Sequence, residues 1–176
     1  MKKLITLVFA AVMMTSFAAA QAGNTATGAL TVKAIVNSSI TIAFVTDAKG
    51  VTLAGSGTDT ATLDFGTVQA FGGTLANNVT RTTTATTFTV SSPVDVEVDS
   101  FNSSSANYNL TAKLNAADAF TWSVGGVAVN STGAAPITAT GTYGAKTNFP
   151  VAVTIPFTTP SGTNINNTIN YTATSN

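Results

Sequence analysis

The densest cluster of titratable side chains is "PVDVEVDSF", residues 93–101, where Asp95, Glu97 and Asp99 alternate with Val94, Val96 and Val98. Carboxylates are hard oxygen ligands of the kind Ca²⁺ takes. On an extended chain, however, residues two apart are separated by roughly 7 Å, at a rise of about 3.3 Å per residue. One ion does not bridge all three, and no calcium-loop motif accompanies them. The better reading is a strand with valines turned inward and carboxylates in water. Catalysis is poorly supplied. The chain has no His and no Cys, which removes the usual general base and the thiol nucleophile. A Ser–Lys arrangement, or a carboxylate pair such as Asp59 and Asp64, has no recognisable motif around it. The expectation is therefore no enzyme: no catalytic residue, no metal and no cofactor. Trp122, the single tryptophan, could stack on a sugar. Its expected cross-strand neighbour Val129 is apolar, which favours a core position. The sequons "NSS" (37–39), "NVT" (78–80) and "NST" (130–132) are what chance produces in a chain this rich in Asn, Ser and Thr, so glycosylation is not inferred.

What must position these groups is an extended chain. Thr, Val, Ile and Phe favour strands, while Asn, Ser and Gly favour turns. Helix-forming runs of Leu, Glu, Lys and Gln are almost absent. Residues 1–22 read as a secretory signal peptide: Lys2 and Lys3, the apolar "LITLVFAAVMM", then small residues ending at Ala22. Removing 22 of the 176 residues leaves 154, enough for one domain with a core. It removes all three Met, and two of seven basic residues but none of the seven acidic ones, for a net charge of −2. So low a charge argues against nucleic acid as a partner, and no later apolar segment is long enough for membrane insertion. Without Cys, stability must come from the core and the strand ladders.

The period-two segments are several. "ATLDFGTV" (61–68) alternates Leu63 and Phe65. "TTFTVSS" (86–92) alternates Phe88 and Val90, and "TRTTTATT" (80–87) leads into it as strand edge. "YNLTAKL" (108–114) puts Tyr108, Leu110, Ala112 and Leu114 on one face. "AFTWSVGGVAVN" (119–130) reads as a hairpin turning at Gly125-Gly126, with Val124 opposite Val127 and Trp122 opposite Val129. "FPVAVTIPF" (149–157) carries Phe149, Val151, Val153, Ile155 and Phe157 on one face. Pro150 and Pro156 fall on the other, suggesting an edge or strand ends. "TINYTAT" (168–174) sets Ile169, Tyr171 and Ala173 together. Many short strands with one apolar face each predict an all-β, immunoglobulin-like antiparallel β-sandwich; a closed barrel is the lesser alternative.

One segment is longer than a strand needs to be. "TGALTVKAIVNSSITIAF" (27–44) holds Leu30, Val32, Ala34, Val36, Ile40, Ile42 and Phe44 in a period of two, broken by Asn37-Ser38-Ser39. "LTVKAIVNSSITI" (30–42) resembles the start of the major subunit of alpha-class, colonisation-factor-type chaperone–usher fimbriae. That family opens with an alternating Ile/Leu-Thr-Val-x-Ala-x-Val segment, and Leu30, Thr31, Val32, Ala34 and Val36 occupy the matching positions. "FTWSVGGVAVNST" (120–132) resembles its Trp-containing Gly-Gly hairpin, and "TPSGTNINNTINYTAT" (159–174) its closing turn and last strand. The break departs from the family pattern, with Ser38 where proline stands. "LDFGTV" resembles spore-coat-U-type and other secreted fimbrial domains. The resemblance implies a pilin lacking its last strand, which is supplied first by a periplasmic chaperone and then by the N-terminal extension of the next subunit. Residues 23–39 would be the extension and hinge, donating Leu30, Val32, Ala34 and Val36, and 40–176 the pilin domain. The implied partners are further copies of the chain head to tail, a chaperone, an outer-membrane usher and a tip adhesin. The implied location is a fimbria on the cell surface. The alternative keeps 27–36 as the chain's own first strand in a monomeric secreted module, for example one binding carbohydrate.

Overall fold

A computed structural model describes residues 28–176. The signal peptide expected at 1–22, and residues 23–27, lie outside the described residues. The chain divides into residues 1–35 and 36–176. The described part of the first, 28–35, has no regular secondary structure and is exposed. The second unit is all-β, with no helix among the described residues.

Its strands are β1 (Ser39–Thr46), β2 (Thr80–Thr83), β3 (Thr87–Phe101), β4 (Asn107–Leu114), β5 (Thr121–Val124), β6 (Val127–Val129), β7 (Ala135–Thr142), β8 (Lys146–Pro156) and β9 (Ile169–Ser175). They form two antiparallel sheets, β1-β3-β8-β5-β6 and β7-β4-β9. β8 pairs with β3 from Thr87 to Glu97 on one side. On the other side β2 pairs with the start of β3 and β1 with its end. The sandwich follows from the alternation. Val90, Val96 and Val98 of β3 and Tyr108, Leu110 and Ala112 of β4 are fully buried in one core. The residues between them face outward. Tyr108 lies so close to β7 that a β-carbon at residue 141 would overlap its ring, which accounts for Gly141.

β3 joins what the sequence suggests are two strands. Phe88, Val90, Ser92, Val94, Val96 and Val98 are buried in unbroken alternation through Pro93. Pro93 sits opposite Pro150 of β8. The Pro150 carbonyl accepts from Gly125 N–H at 2.9 Å, so the polar groups of residue 150 point toward the β5–β6 hairpin. The missing N–H groups of the two prolines therefore both point away from their shared ladder, where a proline costs no inter-strand bond. β8 is accordingly an interior strand rather than an edge. Pro156 ends it, and Pro150 lies just past the last residue paired to β5.

The hairpin forms as the two glycines require. Gly125 and Gly126 have φ of 58° and 81°, and Trp122 pairs with Val129 and Val124 with Val127. Residues 61–68 correct the expectation of a strand. Leu63 and Phe65 are half-buried in alternation, but the backbone makes only an isolated bridge, Ala54 to Thr62, and Gly66 turns it at φ 67°. Alternation here reports packing on the core without a neighbouring strand to complete a ladder. "TRTTTATT" contributes β2, a short edge strand, as its composition suggests. Among the described residues no helix is long and apolar enough to cross a membrane.

Candidate functional site: an open strand edge beside a cleft

β9 ends its sheet. Asn115 N–H donates to the Thr168 carbonyl at 2.8 Å and Asn176 N–H to the Asn107 carbonyl at 3.2 Å, so even-numbered residues direct their polar backbone toward β4. In a strand the direction alternates. Ile169, Tyr171 and Ala173 thus turn N–H and C=O to the outer edge, where no strand pairs among the described residues. Their side chains point into the sandwich yet remain only half-buried.

The edge across the gap belongs to β1. The Phe44 ring meets Tyr171 edge-on, with centroids 5.0 Å apart and planes at 65°. Burial pushes the Tyr171 hydroxyl well above the ordinary phenol range. Phe44 N–H donates to the Thr58 carbonyl at 2.9 Å, and the Phe44 carbonyl accepts from Gly57 N–H at 2.7 Å. Ile40 and Ile42, which pair with β3 on their other side, point their backbone the same way and meet no strand there among the described residues. Both are half-buried.

Beyond the Phe44–Tyr171 contact the gap widens into a partly open cleft of about 1110 Å³. Val90, Val153 and Ile155 are among its floor residues; loops around Leu63 and Ile165 form other walls. The cleft therefore lies over the first half of β3 and the second half of β8. Phe71 reaches across to Phe157 at 5.2 Å, and Phe157 stacks on Phe88 at 6.3 Å.

Trp122 also lines this cleft. It is 7% exposed, and its indole Nε1–H donates to Asp118 Oδ2 at 2.8 Å. It is a wall residue, not a platform offered to a sugar. Asp118 also accepts from Asn167 Nδ2 at 3.0 Å and from Phe120 N–H at 3.1 Å. Asn167 donates further to the Ala116 carbonyl at 3.1 Å. Desolvation tends to raise the Asp118 carboxyl, but the bonds from Asn167, Phe120, Trp122 and Ala119 outweigh it and hold the group below its ordinary value. This knot joins the β4–β5 loop to the loop entering β9. Its one signal in the sequence is the Asx turn, an aspartate bonding the N–H two residues on.

The expected donor residues stand apart from any ladder. Leu30, Val32 and Val36 are 89%, 81% and 75% exposed, and Ala34 is exposed with them. All four lie in residues 28–38, which form no strand. Ile35, on the opposite face of that row, is also exposed. The carboxylates Asp95, Glu97 and Asp99 lie on the outer face of β3, partly exposed. Asp95 accepts from Asn148 Nδ2 at 2.9 Å, and Glu97 sits opposite Lys146. Among the described residues no three His, Cys, Asp or Glu side chains gather as a metal site would need. Asp64 caps its own loop, accepting from Gly66 N–H at 2.8 Å, and Asp59 accepts from Thr60 Oγ1 at 3.4 Å.

Comparison with protein-family models, with curated proteins and with solved structures finds no match.

Proposed function

We propose that the chain is the repeating structural subunit of a surface fimbria, completed by a strand donated from the next copy. The observation that carries this reading is the outer edge of β9. A last strand with its inward row half-buried, no strand on its outer edge among the described residues, and a cleft with an aliphatic floor at one end supports the reading of a sandwich short of one strand. The strand order agrees. β1-β3-β8-β5 follows strands A, B, E and D of the immunoglobulin sandwich, and β4-β9 follows C and F. Strand G would lie beside β9, and that position has no strand among the described residues. β7 is an addition on the far side of β4.

The donor is the exposed row Leu30, Val32, Ala34 and Val36. Burying its three large side chains contributes on the order of 5–8 kcal/mol, at about 1.5–3 kcal/mol each. Ladder hydrogen bonds to Ile169, Tyr171 and Ala173 add to that. A contact between two different surfaces repeated head to tail does not close and so builds a filament. The role is structural rather than catalytic. A periplasmic chaperone would hold the edge before assembly, with an outer-membrane usher and a tip adhesin as further partners, and export would precede assembly at the cell surface.

Deleting residues 23–36, or replacing Val32 by Asp, tests the reading. A carboxylate at position 32 would be buried without a partner in the neighbour's cleft. The expected outcome is loss of filaments by electron microscopy while the subunit keeps its fold and still co-purifies with a chaperone. Lys33→Thr, on the opposite face of the row, should leave filaments in place. A stable, folded monomer from the full mature chain, with no polymer under any condition, would leave a secreted binding module as the better account.

A further inference from the structure

The cleft beside β9 has a chemistry that does not depend on the fimbrial reading. We propose that it binds a small organic cation, a quaternary ammonium group of the choline type, through the aromatic faces of Phe71, Phe157, Phe44 and Tyr171 and the carboxylate of Asp64.

Among the described residues seven aromatic side chains line the cleft. Phe71, 68% exposed, meets Phe157 with centroids 5.2 Å apart and planes at 47°. Phe44 and Tyr171 meet at 65°. Rings tilted in this way make corners rather than flat stacks, and a corner offers two ring faces to one guest. A ring face carries negative potential and attracts a cation within about 6 Å of its centroid. The charges agree in sign. The lining includes the Asp64 carboxylate and no Lys or Arg. Asp64 uses one oxygen to accept from Gly66 N–H at 2.8 Å and keeps lone pairs for a guest. Arg81 carries its charge outside the lining, where Nη1 donates to the carbonyls of Gln69 at 2.7 Å and Gly72 at 2.8 Å. Those two bonds hold the loop on either side of Phe71, so the exposed ring is set in place before a ligand arrives. Asp118 accepts from the Trp122 indole N–H at 2.8 Å, which polarises that ring and makes its face more negative.

Charge and polarity select the guest. An anion meets no basic group in the lining. A wholly apolar guest would cover the Asp64 carboxylate and the amides of Asn164 and Asn166, which also line the cleft, without giving them partners. A primary ammonium is compact and strongly hydrated, and it gives up its water reluctantly. A quaternary ammonium spreads its charge over methyl groups and is weakly hydrated. Its methyls pack on the rings and the aliphatic floor, while its charge meets Asp64 and the ring faces. A hydroxyl on the same molecule gives the loop amides a partner. A phosphocholine headgroup offers the same trimethylammonium but adds a phosphate that finds no basic partner in the lining, so a free cation is the better fit.

Trp122 is the single tryptophan and lines the cleft, so its fluorescence reports occupancy. The full mature chain is titrated at constant ionic strength with choline and with its neutral carbon isostere, in which a tert-butyl group replaces the trimethylammonium. Saturation-transfer NMR of the probe methyls gives a second readout that does not depend on the indole. The expected result is saturable binding, with choline about tenfold tighter than the isostere. Phe71→Leu keeps apolar bulk at an exposed position and removes the ring face. It should weaken choline about fivefold and leave the isostere within about twofold. Asp64→Asn should weaken choline about threefold, and by more at low salt than at high. Phosphocholine should bind more weakly than choline; tighter binding would overturn the choice of a free cation in favour of a headgroup. Equal affinity for choline and the isostere, or equal losses of both in Phe71→Leu, would overturn cation recognition. Absence of choline binding by both readouts would remove the site.

Discussion

β4 and β9 are hydrogen-bonded neighbours in one sheet with the same alternating pattern, and they differ in one respect. On β4, Tyr108, Leu110, Ala112 and Leu114 are fully buried. On β9, Ile169, Tyr171 and Ala173 are half-buried. Sequence pattern sets which face of a strand turns inward. How much of that face leaves water depends on the next strand over, and among the described residues β4 has one on each side while β9 has one only. Half-burial of an inward row is therefore a property of the edge, and it marks where further apolar surface can be added with a gain in free energy.

Truncation should break the symmetry between the two strands. Leu110→Ala opens a cavity in a closed core and should cost about 2–5 kcal/mol, in isolated subunit and assembled material alike. Ile169→Ala should cost about 1 kcal/mol in the isolated subunit, because part of the side chain is already in water. In the assembled form its cost should rise toward that of Leu110→Ala. Urea unfolding of subunit and polymer measures both. Equal costs in the isolated subunit would mean that β9 is as well covered as β4, and the idea of an unfinished edge would fall.

The faces of β3, β4, β8 and β9 were legible in the sequence because alternation is a local property. So was the turn at Gly125-Gly126, since few residues other than glycine take two successive positive φ values. The continuity of β3 through Pro93 was not legible, because it depends on Pro150 lying directly opposite, 57 residues away in the chain. Residues 61–68 misled for a related reason. Leu63 and Phe65 alternate because they pack against one apolar surface, and alternation carries no information on whether a partner strand exists. The alternating apolar row could be read from residues 30–36, but the cleft beside β9 could not. The cleft draws Phe44, Trp122 and Tyr171 from three distant strands. The Asp118–Asn167 bond that ties two of its loops spans 49 residues.

The opposite edge of the larger sheet sharpens the contrast. The β5–β6 hairpin is held by its own turn and needs no added strand. Gly125→Val forces a β-branched residue to positive φ and sets its Cβ 3.0 Å from Phe149 Cδ1, a cost of about 1–3 kcal/mol. Gly126→Val meets the same backbone strain with open space around the new Cβ and should cost less. Thermal melts of the isolated subunit order the two variants. Whatever subunit survives should still assemble, because neither glycine belongs to the β1–β9 gap. Loss of assembly from a normally folded Gly126→Val subunit would show that the hairpin edge also takes part.

The smallest effect concerns what holds the cleft beside β9 in shape. Asp118 bonds Trp122 in the cleft wall and Asn167 in the loop entering β9, so it fixes that end of the cleft. Its carboxyl is held below the ordinary carboxylate value by those bonds. A group whose pKa is depressed by folding contributes stability above its unfolded pKa and loses it as pH falls through the folded one. The bonds to Asp118 should therefore act fully at neutral pH and fade below about pH 4. Asp118→Asn keeps an acceptor oxygen but not the charge, and should cost about 1 kcal/mol at neutral pH. The difference in Tm between it and the unsubstituted subunit should shrink between about pH 5 and about pH 3. A difference that stays constant across that window would mean that the negative charge contributes nothing and that shape alone holds the loop. β4 supplies the internal control. Leu110→Ala removes only apolar contacts, so its Tm deficit should not share this acid dependence.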